Sequence, residues 1–238
     1  MDMRARLDEI RVAVMLLTRL PVGRLTGRVP GLDASSWAFP LVGLPVGLIG
    51  WAVHAGALSL GMSPLIAALM ALSALALATG ALHHDGLADF ADGIGGGRDK
   101  AHCLEIMRDS RIGSYGVLAL VLVLAFWAAA LVELDSAASA WAFIGLAMAS
   151  RVAMLAVLRW SPPARADGLG HSASGGGAGL AVGVAICALV LSPLGLPAVV
   201  VACVVAGMAI LIGTLARRRI GGQTGDVLGA VQILSETA

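Results

Sequence analysis

The chain has 238 residues, 58% of them hydrophobic and 13% charged, with a net charge of +1, 31 glycines and only 4% aromatic residues. Soluble domains carry about a quarter charged residues, so this composition excludes an ordinary water-exposed protein and points to lipid as the solvent, where small residues let helices approach closely. The near-neutral total argues against a nucleic-acid partner. Cys103, Cys187 and Cys203 are isolated, with neither CxxC pairs nor zinc-ligand spacing, and read as packing residues.

At the N-terminus Leu7, Ile10, Val14 and Leu17 share a helical face opposite Arg4, Asp8 and Arg11. The apolar run from Val12 to Leu17 is short and Arg19 follows at once, without a cleavage pattern, so it does not read as a secretion signal. It predicts an interfacial helix on the inner leaflet, with a soluble cap on the bundle as the alternative. No Asp, Glu, Lys or Arg occurs from Ala34 through His84. That length holds two spans, near Ser36–Leu60 and Pro64–Leu82, broken at Gly61-Met62-Ser63-Pro64. A third apolar run follows Arg111 and ends at Val132, and a fourth surrounds Arg151 from Ala138 to Leu158. Beyond a Gly/Ser segment at His171–Gly179, two more are expected at Leu180–Leu191 and Pro197–Ala216.

The sequence therefore predicts a single all-α domain over residues 1–238, a polytopic integral membrane bundle of about six transmembrane helices. Arg4, Arg6, Arg11, Arg19, Arg24, Arg28, Arg98, Lys100, Arg108, Arg111, Arg159, Arg165 and Arg217 to Arg219 all fall on one side of that scheme. The loops around Gly61, Glu133–Ala137 and Ser192–Leu196 contain no basic residue. Basic residues are retained inside, so both termini are expected to be cytoplasmic.

Leaving the second span, His83-His84-Asp85-Gly86-Leu87-Ala88-Asp89-Phe90-Ala91-Asp92-Gly93 places Asp85, Asp89 and Asp92 within a roughly 60° arc of a helix. Crowded carboxylates raise one another's pKa, and a hard cation such as Mg²⁺ or Mn²⁺ relieves the repulsion. Magnesium takes one or two protein carboxylates plus phosphate oxygens, which suits a diphosphate substrate. Acids at a membrane boundary also serve as cation or proton pathways in transporters, and that reading stays open here. The segment Gly93–Arg98 is expected to offer backbone N–H groups to an anion. His83 either touches substrate or orients a carboxylate, and a plain helix-end histidine fits equally well.

Downstream, Leu104-Glu105-Ile106-Met107-Arg108-Asp109-Ser110-Arg111-Ile112-Gly113 reads as a short helix leading into the third span. Arg108 and Arg111 are either surface ion-pair members or bidentate phosphate contacts, and Asp109 either binds substrate or metal or orients an arginine. Arg151 within a span costs at least ~2.5 kcal/mol unless it faces protein or water. It is expected to reach a phosphate, with a packed ion pair as the alternative. Gly221-Gly222-Gln223-Thr224-Gly225-Asp226 is either a plain turn or a phosphate and metal loop in which Gly222, Gln223 and Thr224 meet substrate and Asp226 binds metal. It lacks the Lys and spacing of a P-loop.

Thr18-Arg19-Leu20-Pro21, Phe39-Pro40-Leu41-Val42-Gly43, the runs His83–Gly93 and Leu104–Gly113, and Gly221–Ala230 together resemble the cobalamin synthases, or adenosylcobinamide-GDP ribazoletransferases, over nearly the whole chain. His84 departs from the apolar residue frequent at its position. The resemblance implies a Mg²⁺-dependent multi-pass enzyme of the bacterial inner membrane, its active site facing the cytoplasm. It also implies transfer of the adenosylcobinamide phosphate group from adenosylcobinamide-GDP to α-ribazole or its 5′-phosphate, releasing GMP. Asp85, Asp89, Asp92 and Asp226 are then the expected Mg²⁺ or Mn²⁺ ligands. Arg108 and Arg111 are expected to act on the leaving group, and Asp89 or Asp92 as general base. Expected partners are the two substrates and the bilayer, with no nucleic acid; a homo-oligomer or association with other nucleotide-loop enzymes is compatible. A CDP-alcohol phosphotransferase shares the Asp-Gly chemistry, but Ala88 is followed by Asp89 where that signature has Arg. A polyprenyl transferase would use similar acids.

Overall fold

The computed structural model describes residues 3–25, 29–134, 139–166 and 178–238. Arg28, Asp135 and the Gly/Ser segment through residue 177 lie outside the described residues. Everything regular that is described is helical, apart from one isolated bridge between Pro163 and Gln223. In chain order the helices are α1 (Met3–Leu17), α2 (Leu32–Ser35), α3 (Phe39–Ser59), α4 (Pro64–Thr79), α5 (Leu82–Gly96) and α6 (Lys100–Ile106). They continue with α7 (Ser114–Val132), α8 (Ser139–Trp160), α9 (Ala178–Leu191), α10 (Leu196–Ile220) and α11 (Gly225–Thr237).

Four helical segments are each long and apolar enough to cross a bilayer: Leu32–Ser59, Ser114–Val132, Ala140–Trp160 and Leu196–Ile220, with 28, 19, 21 and 25 residues. At 1.5 Å per residue these reach roughly 30–40 Å. Two of the six expected spans fall short. α9 has 14 residues, and α4 meets the length test only together with α5, from which it is bent by 91°. The count is four, or five if that pair is one broken span. The bend has a local cause. Ser63 caps α4 and Pro64 opens it, while Gly80 (φ 62°) and Ala81 (φ 55°) both turn left-handed at its end. An L-residue with a Cβ pays about 1–2 kcal/mol in that region, so Ala81 is held there by its surroundings. Its N–H reaches Ala76 O at 2.7 Å, and Arg19 N reaches Ala78 O at 2.7 Å. α5 leaves the direction of α4, and its acids lie off the spanning path.

Glycine sets the closest helix contact. A Cβ on Gly43 would lie 2.6 Å from the Ala147 carbonyl, and one on Gly47 2.6 Å from Ile144 Cα, so α3 and α8 touch backbone to backbone. Val42, Val46, Met148, Leu155 and Leu158 fill the layer around that contact and are fully buried. α11, too short to cross, is enclosed by α5, α8 and α10. α1 buries Glu9, Val12, Ala13 and Leu17, whereas Leu7 remains 49% exposed. The docked stripe is thus rotated from the predicted apolar face, because Glu9 accepts hydrogen bonds from Arg6 (2.7 Å) and Trp37 Nε1 (2.6 Å).

Candidate active site

Two helices of 15 and 13 residues, each too short to cross a bilayer alone, carry the acids. α5 crosses α11 where Gly86 meets Gly229, at a separation that leaves a Cβ on Gly86 only 3.1 Å from Asp226 O. Larger residues would hold Asp85 and Asp89 away from Asp226. Along α5, Asp85 is exposed, Asp89 half-buried and Asp92 buried. Burial pushes the Asp89 carboxyl up to about 7, the charges of Asp85, Asp226 and Asp92 push the same way, and Arg165 opposes them. Burial also raises Asp226, against the Arg165 charge and the Thr224 hydroxyl, which donates to Asp226 Oδ2 at 3.2 Å. The charges of Asp85, Asp92 and Asp226 thus all act on Asp89, and Asp226 comes to it from the far end of the chain. Among the described residues no three His, Cys, Asp or Glu side chains converge tightly enough to cage a metal.

Asp92 is committed elsewhere. Its Oδ2 accepts from Gly113 N at 2.7 Å and its Oδ1 from Gly116 N at 2.9 Å. It caps the start of α7 from a different helix, satisfying N–H groups that have no partner within α7 and meeting its positive dipole end. Gly113 and Gly116 are glycines because a Cβ at either would strike that carboxylate.

The Gly93–Arg98 segment departs from expectation. α5 stays helical to Gly96, and its end presents carbonyls rather than N–H groups. Arg219 from the end of α10 donates to Ile94 O (3.0 Å) and Gly97 O (2.7 Å), the placement expected of a cation at a helix C-terminus. No anion nest forms there.

Arg165 was not singled out by the sequence beyond its contribution to loop charge. It lies 3.8 Å from Asp226 Oδ2 and donates to Leu104 O at 3.2 Å, tying the acid face to α6. The residues Arg165 and Arg108, with Leu104 and Glu105, line an open cavity of about 660 Å³, connected to the acid face through Arg165. Arg111 grips Asp109 in a bidentate pair of 2.7 and 3.1 Å at the surface, with the Arg111 side chain 87% exposed. Asp109 is held below the usual carboxylate range by that hydrogen bonding. The pair is the surface ion pair that the sequence left as the alternative for Arg111, and no other described acid is paired with it.

Gly222, Gln223 and Thr224 are buried in a structured turn. Gln223 N donates to Pro162 O and Ala164 N to Gln223 O, each at 2.8 Å, while Thr224 caps α11 by accepting from Val227 N. A Cβ on Gly222 would run into the Pro162 carbonyl. The motif aims Asp226 and seats the Arg165 loop.

Arg151 has a partner the sequence did not reveal. It is fully buried, donates to Ala147 O at 2.6 Å and lies 3.7 Å from Glu236 Oε2. Glu236 also accepts from Ser150 (3.1 Å) and Gln232. This is the packed ion pair rather than an open phosphate contact. His83 is buried between α5 and α11, and its Nε2 has no hydrogen-bond partner.

The family model for cobalamin-5-phosphate synthase, CobS, matches residues 9–238. The chain belongs to the CobS family. It is 44% identical to the adenosylcobinamide-GDP ribazoletransferase of Bradyrhizobium diazoefficiens, over 96% of this chain and 90% of that protein. The corresponding figures are 42%, 99% and 92% for the protein of that name from Mesorhizobium japonicum, and 46%, 94% and 91% for the one from Xanthobacter autotrophicus. No solved structure matches the chain. CobS membership over this length sets aside the CDP-alcohol phosphotransferase, polyprenyl transferase and transporter readings. Both acid-bearing helices and the Arg165 loop fall inside the matched region.

Proposed function

We infer that this CobS chain is an adenosylcobinamide-GDP ribazoletransferase of a bacterial cytoplasmic membrane, joining the cobinamide phosphate to α-ribazole or its 5′-phosphate and releasing GMP. The observation that carries the reading is the close crossing of α5 and α11 at Gly86 and Gly229, which brings Asp85 and Asp226 to one cavity wall, in a chain more than 40% identical to ribazoletransferases. Arg19, Arg165 and Arg219 lie at that end of the bundle, which supports a cytoplasmic active site; the chain's last residues, Thr237 and Ala238, instead lie with Leu134, Ala142 and Val200 toward the other end, against the expected cytoplasmic C-terminus.

The donor set suits Mg²⁺, with Mn²⁺ as a substitute. All three groups are hard carboxylate oxygens, and an ion shared with phosphate needs only one or two of them rather than a closed cage. When bound, such an ion neutralises diphosphate charge. Asp85 and Asp226 are its proposed holders together with Asp89. Arg165, 3.8 Å from Asp226, lines one cavity with Arg108, which supports a role for both on the phosphate oxygens of departing GMP. The ribazole 5′-oxygen bonds to the cobinamide-side phosphorus, the bond from that phosphorus to the GMP oxygen breaks, and GMP leaves with the electron pair. Asp89 takes the hydroxyl proton. Both Asp92 oxygens already accept backbone N–H groups, which leaves Asp89 for that role.

Purified protein incubated with adenosylcobinamide-GDP, α-ribazole and Mg²⁺ should form GMP and the cobalamin product in equal amounts. Absence of both with authentic substrates overturns the assignment. Turnover in Asp85→Asn, Asp89→Asn and Asp226→Asn equal to wild type removes the metal role while leaving the activity.

A further inference from the structure

The end of α10 that carries Arg217 to Arg219 holds more positive charge than the acid face uses. α10 has 25 residues, about 37 Å of helix against a hydrocarbon core of about 30 Å, so its last turn emerges from the apolar layer. Trp160 marks the level. It packs on Gly213, one turn before Arg217, and is 42% exposed, the setting of an indole at the headgroup boundary. Ile210 and Leu211 are 54% and 59% exposed, opposite the buried Val205, Ala209, Ile212 and Ala216. Arg217 and Arg218 stand seven residues further on and so, within about 20°, on the same lines of the helix. Both are exposed. They continue the lipid-facing stripe to the depth of the phosphates.

Their neighbours have the same sign. Arg219 donates to Gly97 O, which places Arg98 beside this turn, and Lys100 Nζ lies 2.8 Å from where a Cβ on Gly221 would stand. Asp99 is the acid between them in the chain, and its carboxylate accepts from His102 N at 2.9 Å to cap α6. Glu105 instead lines the Arg165 cavity. Among the described residues, the side chains of Arg98, Lys100, Arg217 and Arg218 form no ion pair. Cations gathered this way repel one another, and an anion from outside the chain relieves the repulsion without disturbing the core.

We propose that Arg217 and Arg218, flanked by Arg98 and Lys100, form a binding surface for the headgroup of an anionic phospholipid, with its acyl chains lying along Ile210 and Leu211. Position selects a lipid over a soluble anion: the two arginines end a lipid-exposed stripe, and the chains of a bound lipid cover apolar surface that a free anion leaves bare. Guanidinium groups meet phosphate oxygens through paired N–H donors. The occupied surface steadies the turn from which Arg219 reaches the last carbonyls of α5. This reading of the patch does not depend on the transferase reaction.

The test reconstitutes the full chain in phosphatidylcholine vesicles and follows the emission of Trp160, obtained as the difference between wild type and Trp160→Phe. Phosphatidylglycerol or phosphatidylcholine, brominated high on the acyl chains, is added as quencher. A cation near an anionic surface contributes about fivefold in affinity, so the two arginines supply up to about 25-fold. Brominated phosphatidylglycerol should bind at least about tenfold more tightly than brominated phosphatidylcholine at low ionic strength, and added salt should shrink that preference. Arg217→Gln with Arg218→Gln should bring the two lipids within about twofold, whereas lysine at both positions should keep most of the preference. Both side chains are exposed, and unchanged quenching by the phosphatidylcholine probe shows that the variants keep their fold. Equal affinity for the two lipids in wild type, or a preference that survives the double glutamine variant, overturns the proposal. So does loss of the preference in excess inorganic pyrophosphate, which would make the patch a site for a soluble diphosphate.

Discussion

Asp85 and Asp92 lie on one face of α5 yet should fail differently when neutralised. Asp92 is 7% exposed, and its two oxygens each accept one backbone N–H at the start of α7. Asparagine keeps one acceptor and turns an NH₂ toward the other N–H. Asp92→Asn therefore loses one charge-assisted bond, about 1.5–3 kcal/mol, and the carboxylate at the α7 dipole, about 0.3–1 kcal/mol. A total of roughly 2–4 kcal/mol corresponds to about 5–15 °C in melting temperature for a chain of this size. Asp85 is exposed and accepts no such bonds, so Asp85→Asn should melt within about 0.5 kcal/mol of wild type while GMP release collapses. The assay pairs thermal melting in detergent with a Mg²⁺ titration of GMP release for each variant. Residual Asp92→Asn activity should show an unchanged Mg²⁺ midpoint. If Asp92→Asn instead melts like wild type and its Mg²⁺ midpoint shifts like that of Asp85→Asn, Asp92 is a ligand and the capping argument is wrong.

Other consequences follow from the same geometry. Glu236→Leu strands the buried Arg151 charge and should cost about 3–5 kcal/mol in melting experiments, most of it recovered in the double variant Arg151→Met, Glu236→Leu. Asp89, raised from 3.8 to about 7, binds its proton more tightly in the folded chain than in the unfolded one. Its contribution is fully present below the ordinary carboxylate pKa and lost as pH rises through about 7, so melting temperature in EDTA should fall between about pH 4 and about pH 7 and level off above that. Asp89→Asn, or saturating Mg²⁺ with wild type, should flatten that slope. Gly47→Leu forces atoms into the α8 backbone, where even a Cβ would sit 2.6 Å away, and should cost more than the usual 1–3 kcal/mol of overpacking. Gly207→Ala, with nothing within 4 Å, should be neutral or stabilising. Arg165→Met should lower GMP release by about a hundredfold through loss of a charged donor beside the phosphates.

Apolar runs and their breaks carried most of the helix layout. The spans expected at Ser36–Leu60 and Pro197–Ala216 correspond to helical segments Leu32–Ser59 and Leu196–Ile220, because uninterrupted apolar length is a local property. The α4–α5 bend was not legible, since Ala81 is left-handed only under tertiary restraint. The three aspartates of α5 shared a face as their spacing required, but spacing says nothing about what lies opposite. Gly113 and Gly116 claim Asp92, while Asp226 and Arg165 complete the site from distant segments. A signal for Arg151's partner was present in Gln232 and Glu236, one turn apart on an otherwise apolar stretch, but pairing them with mid-span Arg151 needs the packing of α11 on α8.

The site's division of labour explains why so much glycine sits near so few charges. A metal and a diphosphate require acids that approach one another against their own repulsion, and membrane spans give poor control at their ends. Here the acids ride on two short helices locked by backbone contact at Gly86 and Gly229, and each helix is fixed again away from the crossing. Asp92 holds the far end of α5 to α7, Arg219 seals its carbonyls, and the Arg151–Glu236 pair anchors the buried end of α11 to α8. A buried ion pair adds little net stability over an apolar replacement, but it tolerates only one register. Register is what α11 must keep, because a slip of one residue would rotate Asp226 by about 100° and remove it from the acid face. The charges outside the site are therefore best understood as positioning devices for the few inside it, and turnover should be more sensitive than melting to any substitution that lets α11 turn.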